Sequence, residues 1–344
     1  MTRRLRLALL PVLLGGAARA AALQPMFARQ DAAFGVLLLG EEWDQDWRQS
    51  LAAMAKKLAP QFPFEYAAGQ ADVKTIQAAV DRLQGAGVKK LVVVPLFLDS
   101  NAPVLEQTRF LFGIRKEPSQ KFLNAPNGRA GAAVLRRVST KLPVVVTSAL
   151  DDDPVVVDIL ADRARSLSRH PEAEAVVLVG LAPDLNPAEP RPLGRNLAAA
   201  PLNAEDEYLQ ALSALAERVR AKCGFKTGRA AVLQPAAFSQ SERDRHVESL
   251  RKLVRSLALT QRVLVIPHAM TSRVASPLMR NALEGSFARY LDKGLLPDDR
   301  IISWIGAAAR RGAALPDMRV YKSSDQEMPS GFPPLRTRPF GSHP

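Results

Sequence analysis

The sequence predicts an α/β protein built from two tandem doubly wound parallel-sheet domains with a cleft between them. Three observations carry that reading. Short, fully apolar runs alternate with amphipathic helical stretches, as buried parallel strands and their crossover helices do. The order of those elements then starts again halfway along the chain. Finally, four landmarks recur in the same order in both halves, so the second half reads as a diverged copy of the first.

The first strand is Phe34 to Leu39, an apolar run ending in Gly40. A helix follows with Leu51, Met54, Ala55 and Leu58 on one face, then a short strand at Phe64 to Ala67. A second helix spans Asp72 to Leu83, with Val73, Ile76, Ala79, Val80 and Leu83 at helical spacing. Lys90 to Leu98 contains a third strand, and Leu142 to Thr147 a fourth after a long polar insertion. Asp151-Asp152-Asp153-Pro154 is a helix start, with acidic capping and proline in the first turn.

The order resumes with a strand at Ala175 to Val179 ending in Gly180, and a helix at Glu205 to Lys222. A strand at Arg229 to Gln234 and a helix at Ser241 to Leu257 come next. Arg262 to Pro267 repeats Leu91 to Pro95 down to the terminal proline, and Leu295-Leu296-Pro297-Asp298 before a helix at Arg300 echoes Leu150 to Pro154. The predicted domains are residues 33–170 and 171–312. Residues 313–344, rich in Pro, Ser and Arg, read as a poorly ordered tail. Leu185 to Asn203, with its prolines, reads as a long loop at the strand-to-helix edge where such folds bind ligands.

Residues 1–22 carry Arg3, Arg4 and Arg6, an apolar run from Leu7 to Leu14 and the small-residue end Ala18-Arg19-Ala20, the order of a secretory signal peptide. The expected location is periplasmic or secreted. No later run reaches the length of a transmembrane helix, so none is expected after signal removal. Cys223 is the single cysteine, so stability must come from packing and not from disulfides. The whole chain carries a formal charge of +13. Without the four signal arginines, 43 basic residues face 34 acids, which favours anionic partners such as polycarboxylates. No nucleic-acid motif accompanies that charge, and nucleic acid is not an expected partner. Phosphate loops, Gly-x-Ser-x-Gly elbows and His-Glu-x-x-His are also absent.

Leu37-Leu38-Leu39-Gly40, Val92 to Leu98, and Leu150 to Pro154 leading into a helix resemble the class II chelatase family, which inserts cobalt or iron into sirohydrochlorin and related tetrapyrroles. In the second half Val177 to Gly180, Val263 to Pro267 and Leu295-Leu296-Pro297 carry the same resemblance. It spans about residues 34 to 306 and implies a two-lobed, chelatase-like fold, a tetrapyrrole or metal as ligand, and Co2+ or Fe2+ as substrate metal, with no cofactor firmly implied. The family's metal-contacting histidine falls at Glu41 and Leu181, a second family histidine at Pro103 and Ala275, and a family acid at Gln70. The resemblance therefore implies weakened or lost chelatase activity.

Two residues are candidate metal ligands. Glu41, followed by Glu42, Asp44 and Asp46, could replace the missing imidazole as an oxygen ligand, or be a solvated acidic helix start. His268, directly after Pro267 at a strand end, could take a metal or a ligand carboxylate, or bond only to backbone. Candidate substrate contacts are Trp43, placed to stack on a flat macrocycle or to pack in the core, and Ser100 and Asn101 in the loop after Pro95. Arg273, in the corresponding second-half loop, could pair with a ligand carboxylate or be a surface arginine. An active lyase using Glu41 and His268, and a non-catalytic interaction module on the same fold, are the alternative functions.

Overall fold

The computed structural model describes residues 32–40, 45–69, 71–124, 135–181, 204–234 and 239–320, apart from the side chains of 124, 204 and 273–275. The first sheet is formed by β1 (Gly35–Gly40), β2 (Phe64–Ala68), β3 (Leu91–Pro95) and β4 (Val144–Val146), all parallel in the order β2-β1-β3-β4. The second is formed by β5 (Glu174–Leu181), β6 (Thr227–Leu233), β7 (Arg262–His268) and β8 (Arg289–Tyr290), parallel in the order β6-β5-β7-β8. The two sheets share one topology, and this is the α/β, doubly wound architecture that the sequence predicts.

Helices α1 (Gln45–Leu58), α2 (Val73–Gly85), α3 (Pro103–Leu111), α4 (Gln120–Asn124) and α5 (Pro154–Leu167) follow the first four strands. Helices α6 (Ala204–Cys223), α7 (Gln240–Ala258), α8 (Ser272–Leu283) and α9 (Asp299–Ala314) belong to the second half of the chain. Their starts are fixed locally. Asp72, Asp153 and Asp298 each accept a hydrogen bond from the backbone N–H two residues on, and Ser239 and Glu242 form a capping box at α7.

Strand alternation sorts the core into layers. On one face of the first sheet Leu37, Leu39, Leu91 and Val93 pack with α2 and α3. On the corresponding face of the second, Val177, Val179, Val263 and Val265 pack with α7 and α8. The opposite faces, with Val36, Leu38, Val92 and Val94 from one sheet and Val176, Leu178, Leu264 and Ile266 from the other, share one continuous core with α1, α5, α6 and α9.

Within that shared core the halves exchange helices. α5, encoded before the second sheet, packs against β7 and α6, where Arg165 donates to the Lys222 carbonyl at 3.0 Å and Lys222 pairs with Asp158 at 2.7 Å. α9, encoded last, returns to cover β3 and β4. A Cβ on Gly312 would lie 2.7 Å from Val92 Cγ1, so only glycine admits this close approach. The exchanged helices also touch: Trp304 Nε1 donates to Asp153 Oδ2 at 3.1 Å, and Arg300 pairs with Asp162 at 2.7 Å.

The segment from residue 313, which the sequence assigns to a poorly ordered tail, is part of the fold as far as residue 320. α9 continues to Ala314, Lys90 Nζ donates to the carbonyls of Ala313 and Leu315, and Met318 is buried beside β4. Asp317 accepts from the Val144 N–H at 3.2 Å, so this segment satisfies the open edge of the first sheet. The sequence gives too few apolar residues there to show it. Among the described residues, no helix is long and apolar enough to cross a membrane.

Candidate functional site at the strand ends

Ligands of doubly wound sheets bind beyond the carboxyl ends of the strands, and here both central strand pairs present unusual chemistry at that end. β1 and β5 finish in Gly40 and Gly180, and each glycine lies under an aromatic ring from the next helix. A Cβ on Gly40 would meet Trp47 Cζ2 at 2.9 Å, and one on Gly180 would meet the Tyr208 hydroxyl at 2.3 Å. Gly180 is in register with His268 of β7. Tyr208 Oη consequently reaches His268 Nδ1 at 3.1 Å.

His268 shares its strand face with Leu264 and Ile266, and so belongs to the core between the sheets. It is 5% exposed, and its Nε2 is buried with no hydrogen-bond partner. Burial depresses its pKa to about 4, so the imidazole is neutral at neutral pH.

The first sheet contributes a charged loop after β3. The Ser100 N–H and hydroxyl donate to the two carboxylate oxygens of Asp151 at 2.8 and 2.7 Å, while the Ala149 N–H donates to Ser100 Oγ at 2.8 Å. This clamp holds Asp151 at φ 47°, a left-handed conformation that is costly without such support. Asn101 donates its N–H to Asp99 Oδ1 at 2.8 Å. The Asp99 pKa is raised to about 6, chiefly by burial, with the charges of Asp151 and Glu207 adding to it and Asn101 and Arg109 opposing it. Tyr208 is in turn held above its usual range by burial of the hydroxyl and by the Asp99 charge. The charge of Asp99, in one half, is therefore coupled to Glu207 and Tyr208 of the other.

Arg109, on α3, is coupled in charge to Asp99 and Asp151. It is 8% exposed, and burial lowers its pKa while the nearby Glu106, Asp151 and Asp99 charges support its cation. At the start of α6, Glu205 bonds His246 Nε2 at 2.8 Å and is reached by Gln234 Nε2 at 3.3 Å.

Of the residues singled out from sequence, His268 stands at the meeting of the two halves. Ser100 is 7% exposed and engaged in the Asp151 clamp, so its hydroxyl is committed to the loop. Asn101 is exposed on the same loop. Arg273 lies in the first turn of α8, and nothing is described of its side chain. Glu41, Trp43 and Gln70 lie outside the described residues. Pro103 occupies the first turn of α3, where proline suits the helix start, and Leu181 ends β5. Among the described residues, no three His, Cys, Asp or Glu side chains are grouped to hold a metal ion.

Tyr208 and Arg109 were not singled out from sequence. Tyr208 had a legible signal, as an aromatic in the first turns of the helix after the second glycine-ended strand, matching Trp47 after the first. Arg109 had none, because α3 lies in the stretch that reads as a polar insertion.

Residues 41–167 match the family model CbiX. This stretch of the first half is similar to the CbiX family. The CbiX half supplies Asp99, Arg109 and Asp151, whereas Tyr208 and His268 come from beyond the matched residues. Among solved structures, SirB from Bacillus subtilis with Fe3+ is similar over 82% of this chain and 96% of its own, at 13% identity and a TM-score of 0.50. That likeness is one of fold, and the described residues form two parallel four-stranded sheets in a chelatase-like architecture. Sirohydrochlorin chelatase SirB from Bacillus subtilis subspecies spizizenii, in complex with cobalt, shares 12% identity over 82% of this chain and 96% of its own, with a TM-score of 0.46. DR2241 from Deinococcus radiodurans, a multi-domain protein with structural similarity to chelatases, shares 17% identity over 81% of this chain, which spans 55% of that protein, with a TM-score of 0.44. No curated protein sequence matches the chain.

Proposed function

We propose that this chain is an exported tetrapyrrole-binding protein of the chelatase fold, descended by duplication and with metal insertion weakened or lost. The observation that carries the reading is a buried polar set at the strand ends of both halves: Tyr208 bonded to His268, and the nearly buried Asp99 and Arg109, with Asp99 coupled in charge to Glu207 and Tyr208. A buried arginine suits a carboxylated macrocycle, and its planar fork would take a carboxylate in bidentate fashion. Weakened insertion is argued from three of the family's four histidine positions, with Glu41 alone left to serve at the fourth. Leu181 and Pro103 offer neither a metal ligand nor a proton acceptor, and insertion needs both as pyrrole protons leave. Export rests on the signal-like order of residues 1–22 and accords with the basic surplus of the remaining chain.

The test is to mix purified protein with sirohydrochlorin, with and without Co2+ or Fe2+, and to follow the absorption spectrum. A stoichiometric shift with no metal-dependent turnover is expected. Turnover abolished by Glu41→Ala and His268→Ala would establish the active lyase in its place. No spectral change with any tetrapyrrole would refute ligand binding and leave an interaction module.

A further inference from the structure

The chemistry at His268 narrows the ligand class. Its Nε2 is buried and lacks a partner, an arrangement that is destabilising unless something satisfies the nitrogen. Either tautomer leaves this atom unsatisfied, as a bare lone pair when Nδ1–H donates to Tyr208 Oη, or as an N–H when the tyrosine donates to Nδ1. The first arrangement is that of a metal-ligating histidine, whose other nitrogen is fixed by a second residue. It also releases the tyrosine O–H, on which the charge of Asp99 acts from the other half. One imidazole is too few for a free divalent ion, which requires about three or four protein ligands, and the described residues group no such set. One imidazole does suffice when the macrocycle already supplies four nitrogens.

We infer that the site takes a tetrapyrrole already carrying its metal, with His268 Nε2 as the axial ligand and Tyr208 as the residue that orients it. This rests on the tetrapyrrole reading above and reverses its direction: metal enters with the ring and is not delivered to it. On binding, the Nε2 lone pair forms the bond to the metal as a water that the metal carried in solution leaves to solvent, any proton on Nε2 passes to Nδ1, and neither imidazole nor metal changes oxidation state. Tyr208 does not contact the metal and acts only through the imidazole.

The full chain is titrated with Fe(III) uroporphyrin, with metal-free uroporphyrin and with Co2+ alone. The iron porphyrin is expected to bind at least about tenfold more tightly than the metal-free ring, and the reduced complex to show an iron–histidine stretch by resonance Raman. His268→Ala should abolish that band and the affinity difference, and should regain the iron-porphyrin spectrum with added imidazole. His170→Ala should keep the band. Tyr208→Phe should keep binding but shift the stretch. Equal affinity for the two rings, a wild-type complex with no iron–histidine band, retention of the band in His268→Ala, or tight His268-dependent binding of Co2+ alone would each overturn the inference. If wild-type protein binds neither ring, the tetrapyrrole reading itself falls; if it binds both alike, only this inference does.

Discussion

Replacing Gly180 by alanine tests the packing that sets the Tyr208–His268 pair. The added Cβ would sit 2.3 Å from the tyrosine oxygen and 2.8 and 2.9 Å from two ring carbons, all well inside van der Waals contact. The rigid ring must therefore retreat by about an ångström, an overpacking cost of about 1–3 kcal/mol. That shift also stretches the 3.1 Å contact with His268 Nδ1 beyond hydrogen-bonding range, a further loss of about 1 kcal/mol. Together the variant should lose about 2–4 kcal/mol, measured by urea denaturation with an unchanged m-value. Gly85→Ala is the internal control. It closes α2 on an exposed turn with nothing within 4 Å of the new methyl, and should be neutral or stabilising by up to about 1 kcal/mol. In a Tyr208→Ala background the cost of Gly180→Ala should nearly vanish, because the clash has lost its second partner. A Gly180→Ala protein within 0.5 kcal/mol of wild type, or an undiminished cost in the Tyr208→Ala background, would refute the argument.

Two further outcomes concern pH. Glu174 is almost inaccessible; burial alone would raise its pKa, but hydrogen bonds from Ser168 and the Arg169 and His170 N–H groups, with the Arg262 ion pair at 2.8 Å, outweigh it and hold the carboxyl below its usual range. Its stabilisation is therefore present above the unfolded value near 4.5 and lost as pH falls through the folded one. Glu174→Gln should cost about 2–3 kcal/mol at neutral pH, and its thermal midpoint should depend less on pH on the acid side. His246 behaves oppositely. Its hydrogen bond to Glu205 raises the imidazole pKa against burial, so its contribution is full below the unfolded value near 6.5 and fades as pH rises through the folded one. His246→Gln should remove that limb, about 0.5–1.5 kcal/mol, from midpoints measured between pH 5.5 and 8.5; an identical slope in both proteins would contradict the assignment.

The strands were legible because each is a short apolar run buried on both faces, and β1, β3, β5 and β7 stand where those runs predicted. Asp153 and Asp298 were legible because a capping aspartate is a local device. α3 was hidden because it buries polar side chains, with Gln107, Thr108 and Arg109 all nearly inaccessible, so no apolar stripe marks it. α8 carries Pro277 in its interior, and β8 is two residues long. His268 was recognisable from its place after Pro267, but its pairing with Tyr208 depends on two segments 60 residues apart in the chain. Ser100 pointed toward ligand chemistry by its loop, whereas its hydroxyl is occupied by Asp151, a bond that only the fold brings about.

The exchange of α5 and α9 also sets an order of events on the ribosome. The inner faces of β3 and β4 receive their cover from residues 299–314, so the first sheet, though made first, stays open until nearly the last helix has emerged. The chain cannot complete one half and then the next, as independent domains do. Its early strands must wait with apolar surface uncovered, and a nascent chain held short of Asp299 presents that surface to whatever escorts it.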